Sequence, residues 1–136
     1  MGDCQIYVYK IAASGAPLRQ LKTEVSYFAP GSPFQAHINK DNTMDLEYVE
    51  RMFSHAKFGS YGGLSKDDTI LLVSSGVVNS IGEATIAEAI SKSYQERWAP
   101  DQLAQSVVAS SLTSACSPDD ATCVVGYVCE DHPTSG

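Results

Sequence analysis

Two serines follow a short apolar run in the middle of the chain, where a hydroxyl group could act as a nucleophile. The run is ILLV at residues 70–73, and Ser74 and Ser75 come directly after it. Small residues at the exit of a strand often mark a functional site. A serine nucleophile needs an activating base, and its common setting at a strand exit is GxSxG. GxSxG is absent and no His or Asp partner can be identified, so the sequence does not favour a serine hydrolase.

Cysteine and histidine are the side chains that could bind zinc, and the chain has four of the first and three of the second. They form no CxxC pair and no zinc-site spacing, so a structural zinc is not predicted. Cys123 and Cys129 would lie about 20 Å apart on one strand, beyond disulfide reach. We expect free, buried thiols and surface or loop histidines. The residues concerned are Cys4, Cys116, Cys123, Cys129, His37, His55 and His132.

Two short apolar segments are typical of interior strands. Residues 70–73 are too few for a globular helix and are apolar at both odd and even positions. Residues 122–128 show the same pattern. We therefore predict two strands that are buried on both faces.

The remaining segments predict a sheet covered by helices. Residues 6–11 indicate a strand, and residues 18–25 indicate the return strand of a hairpin. Residues 27–63 are irregular, with either a helix or a short strand near residues 46–53. Two helices follow, one from Gly82 to Trp98 and one from Pro100, and we expect them to form an antiparallel pair against the sheet. Their predicted buried stripes are Ile86, Ile90 and Tyr94 in the first, and Leu103, Val107, Val108 and Leu112 in the second.

Composition limits the classes of function. A net charge of −7 argues against nucleic acid or anionic lipid as a partner, since both require clustered basic residues. No apolar run approaches the roughly 18 residues that a membrane span needs. The N-terminal residues lack a signal-peptide pattern, so we expect a cytoplasmic protein. We predict one domain over residues 1–129 and a polar tail over residues 130–136.

Residues 2–5 (GDCQ), 68–77 (DTILLVSSGV) and 117–125 (SPDDATCVV), in this order, resemble three motifs of the 2C-type (PPM) family of metal-dependent serine/threonine protein phosphatases. Residues 2–5 (GDCQ) before an apolar strand resemble the family's GDSR strand. Residues 68–77 (DTILLVSSGV) resemble its D-x-x-hydrophobic-[ST]-D-G-hydrophobic segment. Residues 117–125 (SPDDATCVV) resemble the S-x-D-N/D-[IMA]-T run before its last strand. The resemblance covers most of residues 2–129.

The resemblance implies an α+β fold, a 2C-phosphatase-like β-sandwich flanked by antiparallel helix pairs. It also implies Mg²⁺ or Mn²⁺ ions that activate a water for attack on a phosphoryl group. Matched residue by residue, Asp119 falls on the family's C-terminal metal aspartate and Asp3 on an accessory metal ligand. A turn at Asp119 and Asp120, and a solvated Asp3 near the chain end, are the structural alternatives.

The chain departs from the family at the central metal aspartate. Ser75 stands at that position, and Asn79 stands where the family has an acidic residue. A neutral hydroxyl cannot replace a carboxylate at a Mg²⁺ site. The family's N-terminal half, which supplies the other metal ligands and a phosphate-binding arginine, has no counterpart in these residues. We therefore expect a partial phosphatase-like fold with an incomplete metal site.

Three interpretations follow. The first is an inactive phosphatase-like chain, with no catalytic residues, that binds a protein or itself. The second is a fragment of an active Mg²⁺- or Mn²⁺-dependent phosphatase that hydrolyses phosphoserine and phosphothreonine. The third is an unrelated acidic α/β domain, which a mixed or parallel sheet beside the helix pair would support. We also expect self-association, because a partial sandwich leaves strand edges unpaired.

Overall fold

The structure is a computed structural model that describes residues 4–24, 27–29, 32–33, 39–54, 60–114 and 120–130. Six strands and three helices lie within these ranges. In chain order they are β1 (Gln5–Ile11), β2 (Pro17–Lys22), β3 (Tyr27–Ala29), β4 (Ser32–Pro33), α1 (Leu46–Ser54), β5 (Thr69–Val73), α2 (Ser75–Gln95), α3 (Pro100–Ser114) and β6 (Cys123–Tyr127). None of these helices is long and apolar enough to cross a bilayer.

Four of the strands form one antiparallel sheet in the order β2-β1-β5-β6. The predicted hairpin is confirmed, because β1 pairs with β2, and the tight connection includes Gly15 at φ 85°. The prediction that the last strand is interior is wrong: β6 pairs with β5 on one side and is the edge of this sheet. Every pairing among the described strands is antiparallel, so the mixed or parallel sheet of the third interpretation is not seen in these ranges.

The hydrophobic core lies between this sheet and helices α2 and α3. Tyr7, Leu71 and Val125 are neighbours in register across three strands, and all three belong to the core or pack against it. The helices supply their buried aliphatic residues to the same cluster. Its fully buried members are Tyr7, Tyr9, Leu71, Val73, Val77, Ile86, Ile90, Leu103 and Val107. The α+β class predicted from the sequence is therefore confirmed.

The sheet's other face is apolar but only partly covered. Leu72 of β5 is 44% exposed and Val124 of β6 is 56% exposed. The prediction that both strands are buried on both faces is therefore wrong. Apolar residues at both odd and even positions show only that each face of a strand is hydrophobic. Whether a face is buried depends on which helices or strands pack against it.

The two long helices form the predicted antiparallel pair. Ser111, near the end of α3, donates a hydrogen bond of 3.1 Å to the carbonyl of Gly76, near the start of α2. The first helix begins at Ser75 rather than at Gly82. Gly82 is instead a break inside the helix, with φ 71° and ψ 173°. The helical part predicted from Gly82 onward therefore does begin at this break, and the sequence analysis missed the shorter helical part over residues 75–81.

Each predicted helix stripe is correct in its first part and wrong at its end. Ile86 and Ile90 are buried, whereas Tyr94 is 47% exposed. In α3, Leu103 and Val107 are buried in the core, whereas Leu112 is 54% exposed. The reason in α3 is that two apolar stripes lie side by side, and periodicity does not show which one faces the sheet.

The irregular segment holds a helix, which was one of the two predicted alternatives. Helix α1 begins after Asp45, whose carboxylate accepts a hydrogen bond from the backbone N–H of Glu47 at 3.1 Å. Leu46 and Phe53 of this helix are 75% and 64% exposed. Strands β3 and β4 form a separate two-stranded sheet before it.

Candidate functional site at one end of the sheet

The described parts of the three segments that carry the phosphatase resemblance meet at one end of the four-stranded sheet. Gln5 at the start of β1 pairs with Val73 at the end of β5, and Val73 pairs with Cys123 at the start of β6. Segments far apart in sequence therefore enter or leave the sheet side by side. This strand end is the candidate site.

Ser74 joins two of these segments through hydrogen bonds. Its hydroxyl accepts a hydrogen bond from the backbone N–H of Thr122 at 3.0 Å and donates one to the carbonyl of Asp120 at 3.3 Å. Its own backbone N–H bonds to the carbonyl of Thr122 at 3.0 Å. The Ser74 hydroxyl therefore has a structural role, consistent with the sequence analysis, which did not favour a serine nucleophile.

Ser75 and Asn79 lie one helical turn apart at the start of α2. Ser75 is the first residue of the helix and is half-buried, and Asn79 is exposed. Residues four apart share one face of a helix. Both side chains are neutral, so they can exchange hydrogen bonds with a ligand but cannot balance the charge of a divalent cation.

The two predicted metal ligands, Asp3 and Asp119, lie outside the described residues. Asp120, next to Asp119, is exposed at the strand end near Ser74. Within the described ranges, no group of three or more His, Cys, Asp and Glu residues lies close enough together to hold a metal ion. Mg²⁺ and Mn²⁺ prefer several hard oxygen ligands that include carboxylates. The described donors at this end do not fit such an ion by themselves.

A buried carboxylate, the first residue of the second motif, lies at the opposite end of β5. Asp68 is 2% exposed. Its Oδ2 accepts hydrogen bonds from Lys10 Nζ at 2.6 Å and from the backbone N–H of Ser65 at 2.8 Å. Burial raises the pKa of the Asp68 carboxyl, but the bonds from Lys10 and Ser65 outweigh burial and hold that pKa below its usual value. Asp68 therefore anchors the loop before β5 to β1, a role without a local sequence signal because Lys10 is remote along the chain.

Two phenol hydroxyls are buried on the core face of the sheet. Tyr9 and Tyr127 both lie beside Thr69 in register, and neither hydroxyl has a hydrogen-bond partner within the described structure. Burial raises the pKa of Tyr9 to about 12. A phenol with so high a pKa stays protonated, so Tyr9 is not suited to act as a base near neutral pH.

The cysteines differ from the prediction in their exposure. Cys4, Cys123 and Cys129 are free thiols, as predicted, but Cys4 and Cys129 are exposed rather than buried. Burial raises the pKa of the half-buried Cys123 thiol to about 11. The fourth cysteine, Cys116, and the three histidines, His37, His55 and His132, lie outside the described residues.

Comparisons of this chain with protein-family models, with curated proteins and with solved structures each found no match.

Proposed function

We propose that this chain is a 2C-type phosphatase-like protein that has no catalytic centre of its own and acts by binding a protein. The observation that carries the proposal is the pair of neutral side chains, Ser75 and Asn79, at the exit of β5. In the family that the chain resembles, this exit carries the central metal carboxylate. Without that charge a Mg²⁺ or Mn²⁺ centre is strongly disfavoured.

The meeting of the three motif segments supports the phosphatase-like part of this proposal. Residues 4–5, Ser74 and Asp120 come from the three motifs and lie at one end of the sheet. An antiparallel sheet with a helix pair on one face also agrees with half of a sandwich. The expected compartment is the cytoplasm.

A second candidate function is a fragment of an active Mg²⁺- or Mn²⁺-dependent protein serine/threonine phosphatase. The hydrogen bond from Ser74 to the carbonyl of Asp120 favours this candidate, because it holds Asp120, the residue that follows Asp119, beside the start of α2. The missing carboxylates would then come from another polypeptide segment. Asp119 and Asp3 would be the contribution of this chain to the metal centre.

Hydrolysis of a generic phosphate monoester in excess Mn²⁺ tests the two candidates against each other. We expect no turnover by the purified chain above that of an Asp119→Ala variant, with both samples shown to be folded by circular dichroism. Turnover that Asp119→Ala abolishes would contradict the proposal and support the second candidate.

A further inference from the structure

The two edges of the four-stranded sheet are chemically different. Strand β2 carries Pro17, Arg19 and Lys22, and its pairing with β1 contains a bulge. Charge, proline and bulges are the usual protection of an exposed edge against further strand pairing. Strand β6 has none of these features, because its sequence CVVGY contains neither a charge nor a proline. Among the described strands, edge strand β6 is therefore open to pairing.

The backbone groups on the open side of β6 follow from its pairing with β5. The N–H of Val128 bonds to the carbonyl of Asp68, and the carbonyl of Thr122 accepts a bond from Ser74. Hydrogen-bonding direction alternates along an antiparallel strand, so even-numbered residues face β5. The N–H and carbonyl groups of Cys123, Val125 and Tyr127 thus point away from β5, toward the open side of the edge strand. The Cys129 thiol donates a hydrogen bond of 3.8 Å to the Tyr127 carbonyl.

A second apolar stripe of α3 lies beside this open edge. Ala104, Val108 and Leu112 are spaced i, i+4, i+8, one position beyond the stripe that packs into the core. Together with Gln105, Ala109 and Cys123 they line a groove of about 350 Å³ between α3 and β6. Leu112 in this groove is 54% exposed. The open strand edge and the stripe form one continuous surface, called here the β6/α3 edge.

We infer that the β6/α3 edge pairs with the same edge of a second copy of this chain. The two β6 strands would pair antiparallel about a twofold axis, giving a continuous eight-stranded sheet from two sheets of four. The two Ala104–Val108–Leu112 stripes would then face each other across the same axis. Such an isologous contact requires a self-complementary surface.

Two properties of the surface favour a second copy over another partner. The first is its two-layer form: a partner that covers both parts needs a strand with a helix behind it, and a second copy has this arrangement. The second is charge. The chain has a net charge of −7, but β6 has no charged residue and α3 has only Asp101, in its first turn. The contact made by β6 and the α3 stripe therefore contains no charged residue, and the acidic residues Asp120 and Glu130 lie beyond the two ends of β6.

The size of the surface indicates a weak dimer. A strand of five residues is about 17 Å long, and two layers about 10 Å each give a cross-section of about 340 Å². Specific interfaces commonly bury about 800 Å² on each partner and seldom less than about 600 Å², so this contact lies below the usual range for a stable dimer. We expect a dissociation constant in the micromolar range. The inference does not depend on the phosphatase resemblance.

Sedimentation velocity over a concentration series, from about 5 to about 500 μM, tests the inference. We expect the intact chain to pass from monomer to dimer. Leu112→Lys should raise the dissociation constant at least about tenfold, because it places a charge in the contact. The matched control is Leu18→Lys on β2, the other edge strand, where Leu18 is 50% exposed. It should leave dimerisation unchanged.

Amide hydrogen exchange supplies a second measurement that depends on the edge itself. The amides of Cys123, Val125 and Tyr127 should exchange more slowly as the concentration of the intact chain rises, but not in Leu112→Lys. A monomer at every concentration would overturn the inference and leave the edge to another protein. A dimer that Leu112→Lys does not weaken, or that Leu18→Lys weakens equally, would overturn it as well.

Discussion

The Asp68 side chain stabilises the end of the sheet opposite the candidate site. Its carboxylate is buried and accepts hydrogen bonds from Lys10 and from the Ser65 amide, which hold its pKa below the usual value of 3.8. A carboxyl with a lowered pKa in the folded state stabilises the protein above its unfolded pKa. That contribution disappears as the pH falls through the folded pKa.

We predict that Asp68→Asn lowers the free energy of unfolding at pH 7 by about 1–3 kcal/mol, because the charged acceptor of these bonds is lost. The difference from the unsubstituted protein should shrink as the pH falls below about 4, because the carboxyl becomes protonated there in the unfolded chain and only at lower pH in the folded protein. Urea unfolding at pH 7 and at pH 3 measures both values.

The neighbouring exposed residue Asp67 provides the control, because Asp67→Asn should change the free energy of unfolding by less than about 0.5 kcal/mol. An Asp68→Asn variant as stable at pH 7 as Asp67→Asn would show that the buried carboxylate does not anchor the loop.

The roles of single residues were the part of the site least accessible from sequence. Ser74 was correctly placed at a strand exit, but its bonds to Asp120 and Thr122 join segments separated by 46 and 48 positions. Such contacts depend on the pairing of β5 with β6, which no local pattern encodes. The anchoring role of Asp68 has no local sequence signal for the same reason, because its partner Lys10 lies 58 positions away.

At the scale of elements, the break at Gly82 divides α2 into two helical parts. The backbone there has φ 71° and ψ 173°, a conformation almost restricted to glycine. Immediately after it, the Glu83 carboxylate accepts two bonds from Arg19 Nη1, at 2.6 and 2.7 Å. The break thus lets the second part of α2 begin with a contact to edge strand β2.

We predict that Gly82→Ala lowers the free energy of unfolding by about 1–3 kcal/mol. The reason is backbone strain alone, since an added Cβ would meet no atom within 4 Å. Chemical denaturation measures the change. Gly62→Ala is the control: it also meets no atom within 4 Å and has no positive φ, so it should change stability by less than about 0.5 kcal/mol. Equal effects of the two substitutions would contradict this explanation.

The elements themselves were largely predictable, and their boundaries and coverage were not. Alternating and 3.6-residue patterns correctly predicted β1, β5, β6 and the helix pair. The pattern missed the start of α2 because Val77 and Val78 are β-branched and do not favour a helix locally. In the structure this first part is held by tertiary contact, including the bond from Ser111 to Gly76.

At the scale of the whole molecule, a four-stranded antiparallel sheet carries two helices on one face and leaves an apolar second face partly exposed. The class of fold was predictable because it depends on the order of elements. The position of β6 at the edge was not, since strand order depends on pairings between remote segments. The phosphatase resemblance stays a prediction.

Manganese binding measured by titration calorimetry tests the central claim, that the chain has no catalytic metal centre, most directly. We predict no saturable Mn²⁺ binding by the intact chain up to about 1 mM, and measurable binding by Ser75→Asp, which restores a carboxylate at the strand exit. Ser75→Asn, which adds a side chain of similar size without the charge, is the matched control and should not bind. Saturable binding by the unsubstituted chain that Asp119→Ala abolishes would contradict the claim.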